Sequence, residues 1–338
     1  MSKRFFQRLA FGGLALLLLS LAEVKQAKTM AEDEIEAKKS VRQNQAVAKD
    51  ESAAIEYPLN NYKMGLTKFA VVGDYGGMHK ESKIVAKLVK SWGPEFIITT
   101  GDNSFPSEDI ETIDENVGPL YSAYIYPYKG KYEQATIPYN RFFPCLGDND
   151  FYPENAGPMC DYFNFPTDRQ YYDFVKGAVH FFALCSDEKC PNGITPESEQ
   201  MLWLKRKAQE SQSPWKMAYF HHPVYSSGIS FVNDDNERIF STKNSERKID
   251  APFSQWGISA VLTGHQHIYE RFNIDGIPHI INGLGGGQLD ELHEESPESL
   301  IRFSGEHGGM FVEASDKELS FKFITISGRI IDKFLLKK

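Results

Sequence analysis

Cysteine is scarce in this chain: four residues, Cys145, Cys160, Cys185 and Cys190, among 338. No Cys-x-x-Cys pair occurs, which argues against a thiolate zinc site. Cys145 and Cys185 fall within apolar runs, where buried free thiols are common. One bridge at most is expected, between Cys185 and Cys190. There is no cluster of basic residues with interleaved aromatics, and the net charge is −9. That balance argues against a nucleic-acid partner. No internal repeat is present, and no Asn-x-Ser/Thr sequon speaks for or against glycosylation. No apolar run reaches the about 20 residues of a membrane span. What remains, 41% hydrophobic and 25% charged residues, is the composition of a globular protein.

The first segment reads as a targeting signal. Lys3, Arg4 and Arg8 precede an uncharged, mainly apolar stretch from Leu9 to Ala22, and Ser20-Leu21-Ala22 has the small-x-small pattern of a cleavage site. A signal peptide over 1–22 implies export to the periplasm, the exterior or a secretory lumen, with no stable membrane span after cleavage. An uncleaved anchor and a Lys-Arg variant of a twin-arginine signal stay open. Residues 23–56 are rich in Ala, Glu, Lys and Gln, lack aromatics, and read as a helical or disordered linker. The folded domain is expected over 57–338.

Within it, apolar runs of about 4–8 residues, the length of core strands, stop at polar residues of one kind. Val71-Val72-Gly73 ends at Asp74. Ile97 to Gly101 ends at Asp102, and Phe143 to Gly147 at Asp148-Asn149-Asp150. Met217 to Phe220 ends at His221-His222-Pro223, and Val261 to Gly264 at His265-Gln266-His267. Ligands of open α/β sheets gather at the carboxyl ends of strands. Each residue alone has a plain explanation, since an Asp after Gly is usually a turn former. Five such ends in one chain make a metal site of carboxylates and imidazoles.

A helix is expected over 79–92, with Ile84, Val85, Leu88 and Val89 on one face. Strands at 68–73 and 95–100 flank it in a right-handed βαβ unit. Helices and loops fill 104–141, whose tyrosines Tyr121, Tyr124, Tyr126 and Tyr128 suit either a structural surface layer or substrate binding. Val179 to Leu184 reads as a strand in which His180 is structural. Thr195-Pro196 opens a helix to about Gln212, and 228–250 reads as a polar loop beside the site. The glycines of 283–287 lack the Lys of a P-loop and suit a tight turn near the metals. His279, in the strand before them, reads as structural. The C-terminus reads as a meander of strands at 309–314, 318–326 and 329–335.

The order Asp-x-Gly, Gly-Asp, Gly-Asp-Asn-Asp, His-x-Pro and Gly-His-x-His resembles the calcineurin-like metallophosphoesterases over roughly 66–335. The sequences GHQHIYER and HHPVYSSG resemble their purple acid phosphatase branch. The resemblance implies an α/β fold, a four-layer αββα sandwich of two mixed β-sheets. It implies a hydrolase acting on a phosphorylated small molecule through two metal ions, divalent Fe, Mn or Zn. Asp74 and His267 would hold the first ion, Asp102 would bridge, and Asp148, His221 and His265 would hold the second. His222 would either reach the phosphate or face solvent.

Three positions depart from that pattern. Phe105 stands where the branch has a metal-binding tyrosine, Asp148 where it has Asn, and Asn149 where it has the His that protonates the leaving group. With Phe105 and Asp148 the ligand set keeps its charge but loses phenolate, which weakens the preference for ferric iron. Asn149 can donate a hydrogen bond but no proton, which leaves Asp150, if its pKa is raised, as a candidate acid. The expected activity is hydrolysis of phosphate monoesters. A degenerate metal- or ligand-binding protein and a phosphodiesterase or nucleotidase of the same fold are the alternatives.

Overall fold

The computed structural model describes residues 65–105, 109–151, 155–228, 249, 251–293 and 296–338. They belong to one compact unit, Leu59–Lys338. The expected signal and linker, and all but the ends of the 228–250 loop, lie outside the described residues.

Alternation along the strands explains the layers. In β1 (Thr67–Val72), Ala70 and Val72 pack with Val85, Ala86 and Val89 of α1 (Lys80–Ser91). The ring of Phe69, on the opposite face, meets Phe181 edge-on at 5.1 Å. Phe181 lies in β5 (Val179–Ala183) of a second sheet, and its neighbour Phe182 packs instead on Met201 and Leu204 of α4 (Glu199–Glu210). Each sheet therefore has one face toward the other and one toward helices. Helices α2 (Ile110–Tyr121) and α3 (Gly157–Phe163) join α1 on the first sheet. The expected four-layer αββα sandwich is what the chain forms.

The first sheet runs β13-β12-β11-β1-β2-β3. Its β2 (Phe96–Thr99) and β3 (Phe142–Pro144) run parallel to β1. Its β11 (Gly308–Ala314), β12 (Glu318–Thr325) and β13 (Ile330–Lys337) form the antiparallel meander. The second runs β10-β8-β9-β7-β6-β5-β4, with β5, β6 (Trp215–Tyr219), β7 (Ala260–Thr263) and β9 (Ile277–Asn282) parallel. Strands β4 (Tyr172–Lys176), β8 (Tyr269–Ile274) and β10 (Ser299–Phe303) are antiparallel to their neighbours. Parallel strands covered on both faces are apolar throughout, which is why β1, β2, β6 and β7 stand out in the sequence.

Two local differences, the start of one helix and the place of the tyrosines, have physical causes. The helix expected from Thr195 begins at Glu199, because Ser198 is the residue whose hydroxyl caps it, accepting from Met201 N–H. Residues 104–141 contain α2, capped by Asp109 through Thr112 N–H at 2.8 Å. Tyr121, Tyr124 and Tyr128 are buried in the core beneath α2 rather than forming a surface or substrate layer; only Tyr126 is exposed. His180, a structural residue as read, hydrogen-bonds Asp173 and Ser211. A disulfide joins Cys185 to Cys190, and Cys145 and Cys160 are free thiols.

Candidate metal centre

The first sheet contributes Asp74 after β1, Asp102 after β2 and Asp148 after β3. The second contributes His221 and His222 after β6, and His265 and His267 after β7. These are the strand ends that the sequence singled out, and the fold brings them to one place. Ligand atoms of Asp148, His221, His222 and His265 lie within 4.8 Å of one another, as do those of Asp74, Asp102 and His221. His221 belongs to both groups and joins them.

Backbone strain accompanies the convergence. Asp74, Asp102 and His265 have φ of 57°, 51° and 68°, in the left-handed region that residues with a Cβ rarely enter. Such conformations cost of order 1–3 kcal/mol each and persist where surrounding structure fixes them. Here the strained residues follow the ends of β1, β2 and β7, where the ligand atoms meet. Glycines make room for them. A Cβ on Gly264 would stand 2.4 Å from Asp74 Oδ2, and one on Gly147 would stand 2.1 Å from Asp102 Oδ1.

Three imidazoles are oriented by the same device. His221 Nδ1 donates to Thr100 O at 2.8 Å, His267 Nδ1 to Gln288 O at 2.5 Å, and His222 Nδ1 lies 2.9 Å from Ser186 Oγ. In each case Nε2 points at a carboxylate. His221 Nε2 is 2.9 Å from Asp148 Oδ1 and 3.4 Å from Asp102 Oδ1; His222 Nε2 is 3.5 Å from Asp148 Oδ1; His267 Nε2 is 3.8 Å from Asp74 Oδ1. His265 presents Nδ1, 3.1 Å from Asp148 and 3.2 Å from His221 Nε2. An outer hydrogen bond that fixes one ring nitrogen and leaves the other facing inward is the usual arrangement of a ligating histidine. His267 stands at the edge of the cluster, outside both tight groups.

The electrostatics fit a cation. Burial pushes the Asp74 carboxyl well above its ordinary pKa, with the His221 charge opposing it and Asp102 adding to it. Burial disfavours charge on His221, yet Asp102, Asp148 and Asp74 hold its imidazole well above the usual range. Burial also opposes charge on Asp148, but hydrogen bonds from His221 and His265 hold it below the carboxylate range. Three carboxylates packed this closely call for compensating positive charge, and hard oxygens with imidazoles are the donor set for divalent ions.

The remaining sequence candidates take definite positions. His222, left between phosphate contact and solvent, is 2% exposed and lies within the ligand cluster. Asn149 donates its side-chain amide to Asp102 Oδ2 and its backbone N–H to Asp102 Oδ1. Asp150, the candidate acid, has both carboxylate oxygens engaged. It is fully buried, and its two oxygens accept from Asn103 N, Ser104 N, Asn103 Nδ2 and Gly147 N. Burial, with the Asp102 charge, pushes it up to about 7, and its hydrogen bonds join the Asp102 loop to the Asp148 loop. Phe105 is 53% exposed and offers no donor.

Residues without an assigned role in the sequence reading support the site from behind. Glu270, fully buried, accepts from Ser227 N, Ser227 Oγ and Ser299 Oγ, tethering the chain that follows His222. Asp290 accepts from His267 N at 2.7 Å, and Ser186 accepts from His222 N at 3.0 Å. Tyr269 and Arg271 both donate to Asp332 of β13, linking the two sheets just beyond the His-x-His turn. The adjacent charged pair Glu270-Arg271 in β8 was a signal for those two residues alone.

Comparison with known proteins agrees with this geometry. The chain matches the calcineurin-like phosphoesterase family over residues 67–269. It is 21% identical over 312 residues to tartrate-resistant acid phosphatase type 5 of Oryctolagus cuniculus, covering 80% of this chain and 91% of that protein. It is 24% identical over 229 residues to purple acid phosphatase 15 of Arabidopsis thaliana, covering 61% of this chain but 41% of that longer protein. Among solved structures, purple acid phosphatase PPD1 from yellow lupin (Lupinus luteus) seeds superposes with a TM-score of 0.65 at 15% identity, over 81% of this chain and 54% of that one. GAP50, the anchor in the inner membrane complex of Plasmodium, superposes with a TM-score of 0.57 at 18% identity, over 80% and 89%. With the family matched over more than half its length and its metal-ligand types gathered at the strand ends, the chain belongs to the calcineurin-like phosphoesterase family.

Proposed function

We propose that the protein is an exported hydrolase of phosphate monoesters that works with two divalent cations, Fe, Mn or Zn. The observation that carries this reading is the meeting of Asp74, Asp102, Asp148, His221 and His265 in one cluster with His267 at its edge. Bound there, the cations supply an acidified water and neutralise charge on the phosphoryl group. Asp74 and His267 would hold one, Asp148, His221 and His265 the other, with Asp102 between them.

The protein's own residues then set the rate. Asn149 fixes the orientation of Asp102 and gives no proton to a leaving group. Asp150 positions the Asp102 and Asp148 loops. Loss of a general acid typically lowers the rate about 10²–10⁴-fold, so aryl esters, whose leaving groups need no proton, are the preferred substrates. Residues 1–22 act as the export signal, 23–56 as a linker and 57–338 as the catalytic domain. Among the described residues no helix is long and apolar enough to cross a membrane.

A second reading, an exported metal- or ligand-binding protein with little turnover, is favoured by the lack of a proton donor at Asn149 and of a phenolate at Phe105. Elemental analysis of the purified chain beside a panel of aryl and alkyl phosphomonoesters and a phosphodiester separates the two. Two cations with aryl monoester hydrolysis support the enzyme. Two cations with no hydrolysis, unrecovered in Asn149→His, support the binding protein, and preference for the diester supports a phosphodiesterase.

A further inference from the structure

The cluster contains one imidazole more than the two-ion reading uses. His222 follows His221 directly, yet both rings turn into the same space, with centroids 5.0 Å apart. The His222 ring is 4.5 Å from that of His265. Ser186, itself fully buried, holds His222 at two points: its Oγ accepts the backbone N–H and meets Nδ1. That leaves Nε2 directed toward Asp148 Oδ1 at 3.5 Å. Three further separations in the group are 2.9 Å for His221 to Asp148, 3.1 Å for His265 to Asp148 and 3.2 Å for His265 to His221, and all four donors lie within 4.8 Å of one another. Four donors each about 2.0–2.1 Å from a zinc-sized ion stand about 3.3–3.4 Å apart, close to these values.

We propose that His222 is a further protein ligand of the cation held by Asp148, His221 and His265, so that this cation, which also shares Asp102, is saturated by protein. The position beside Asp74 and His267 is then the one left open to solvent and substrate oxygen. The proposal rests on the two-cation reading above and makes the two positions unequal. Three imidazoles with Asp148 and the shared Asp102 suit zinc or cobalt, and a position closed by protein donors is the mark of a tightly held ion. The oxygen-richer position should exchange its ion readily.

The test loads the full chain with two equivalents of cobalt(II) and dialyses it against a chelator, following cobalt content and visible absorption. One cobalt is expected to leave at least about 10-fold faster than the other, with the retained ion showing the intense band of four- or five-coordinate cobalt. In His222→Ala and His222→Gln, with far-ultraviolet circular dichroism unchanged, the slow cobalt should leave about 10–100-fold faster. Two cobalts leaving together in the wild type, or variants that retain cobalt as the wild type does, would overturn the assignment of His222 alone. A wild-type chain that binds no cobalt would overturn the cation-site reading and this assignment with it. Should neither variant fold, the wild-type spectrum decides: only the weak band of six-coordinate cobalt counts against His222.

Discussion

The side-chain amide of Asn149 donates to Asp102 Oδ2 over 2.6 Å, while its backbone N–H donates to Asp102 Oδ1 over 3.1 Å. The residue at the position where the resemblance implies a proton donor is thus bonded to Asp102. An imidazole at 149 restores a group able to protonate a departing alkoxide. Asn149→His is expected to raise turnover on alkyl phosphates by about 10-fold or more, with little change on aryl phosphates. Steady-state rates on a matched pair of esters check this, and equal effects on both would remove Asn149 from the account.

Phe105 brings no phenolate to the centre. Iron-loaded protein is therefore expected to lack a visible phenolate-to-iron band, while Phe105→Tyr loaded with ferric iron should gain one. Absorption spectra of the two proteins are sufficient, and a purple wild type would contradict the ligand set.

Gly264 ends β7 against Asp74. In Gly264→Ala the new methyl would stand 2.4 Å from Asp74 Oδ2 and 2.7 Å from Thr100 O, so backbone or ligand must shift. Overpacking of this kind costs about 1–3 kcal/mol. A lower urea midpoint together with weaker cation retention is expected. Unchanged metal content would show that the turn tolerates a side chain.

Asp332 links the sheets. It accepts from Arg271 Nε at 2.6 Å, Arg271 Nη2 at 3.2 Å and Tyr269 Oη at 2.8 Å. Removing one partner of a largely buried pair costs about 3–5 kcal/mol, because the other charge is left uncompensated. Asp332→Ala should lose stability of that order in urea denaturation, and a loss under about 1 kcal/mol would mean that the sheets are held by their aromatic packing alone.

Acid sensitivity should come partly from His279, which borders a cavity of about 330 Å³ lined also by Tyr225 and Phe253. Burial lowers its pKa from 6.5 to about 4. Between those values the unfolded chain binds a proton that the folded chain refuses, so stability is full above pH 6.5 and falls as pH drops toward 4. At about 1.4 kcal/mol for each tenfold difference in proton affinity, the contribution is roughly 3 kcal/mol. His279→Phe should flatten the stability profile across that window relative to wild type, and parallel profiles would contradict it.

The ligand types were legible because buried parallel strands are apolar on both faces, so a polar residue at the end of such a run is conspicuous. That holds for Asp74, Asp102, His221 and His265. Less was legible where local pattern and tertiary role separate. Tyr121, Tyr124 and Tyr128 look like surface aromatics in a polar stretch, yet they form the core beneath α2. The inward position of His222 depends on Ser186, 36 residues earlier in the chain. Asp150 resembles a free acid until Asn103 and Gly147 are seen to occupy its oxygens. Such contacts arise from distant segments and leave no period or spacing to read.

The central claim is that these carboxylates and imidazoles bind cations together. Its most direct test is the number of divalent ions retained per chain after desalting, measured by elemental analysis for wild type and for His221→Ala, the residue shared by both ligand groups. The account predicts two in the wild type and fewer than one in the variant. A folded wild-type chain that retains none, or a variant that retains two, would contradict it.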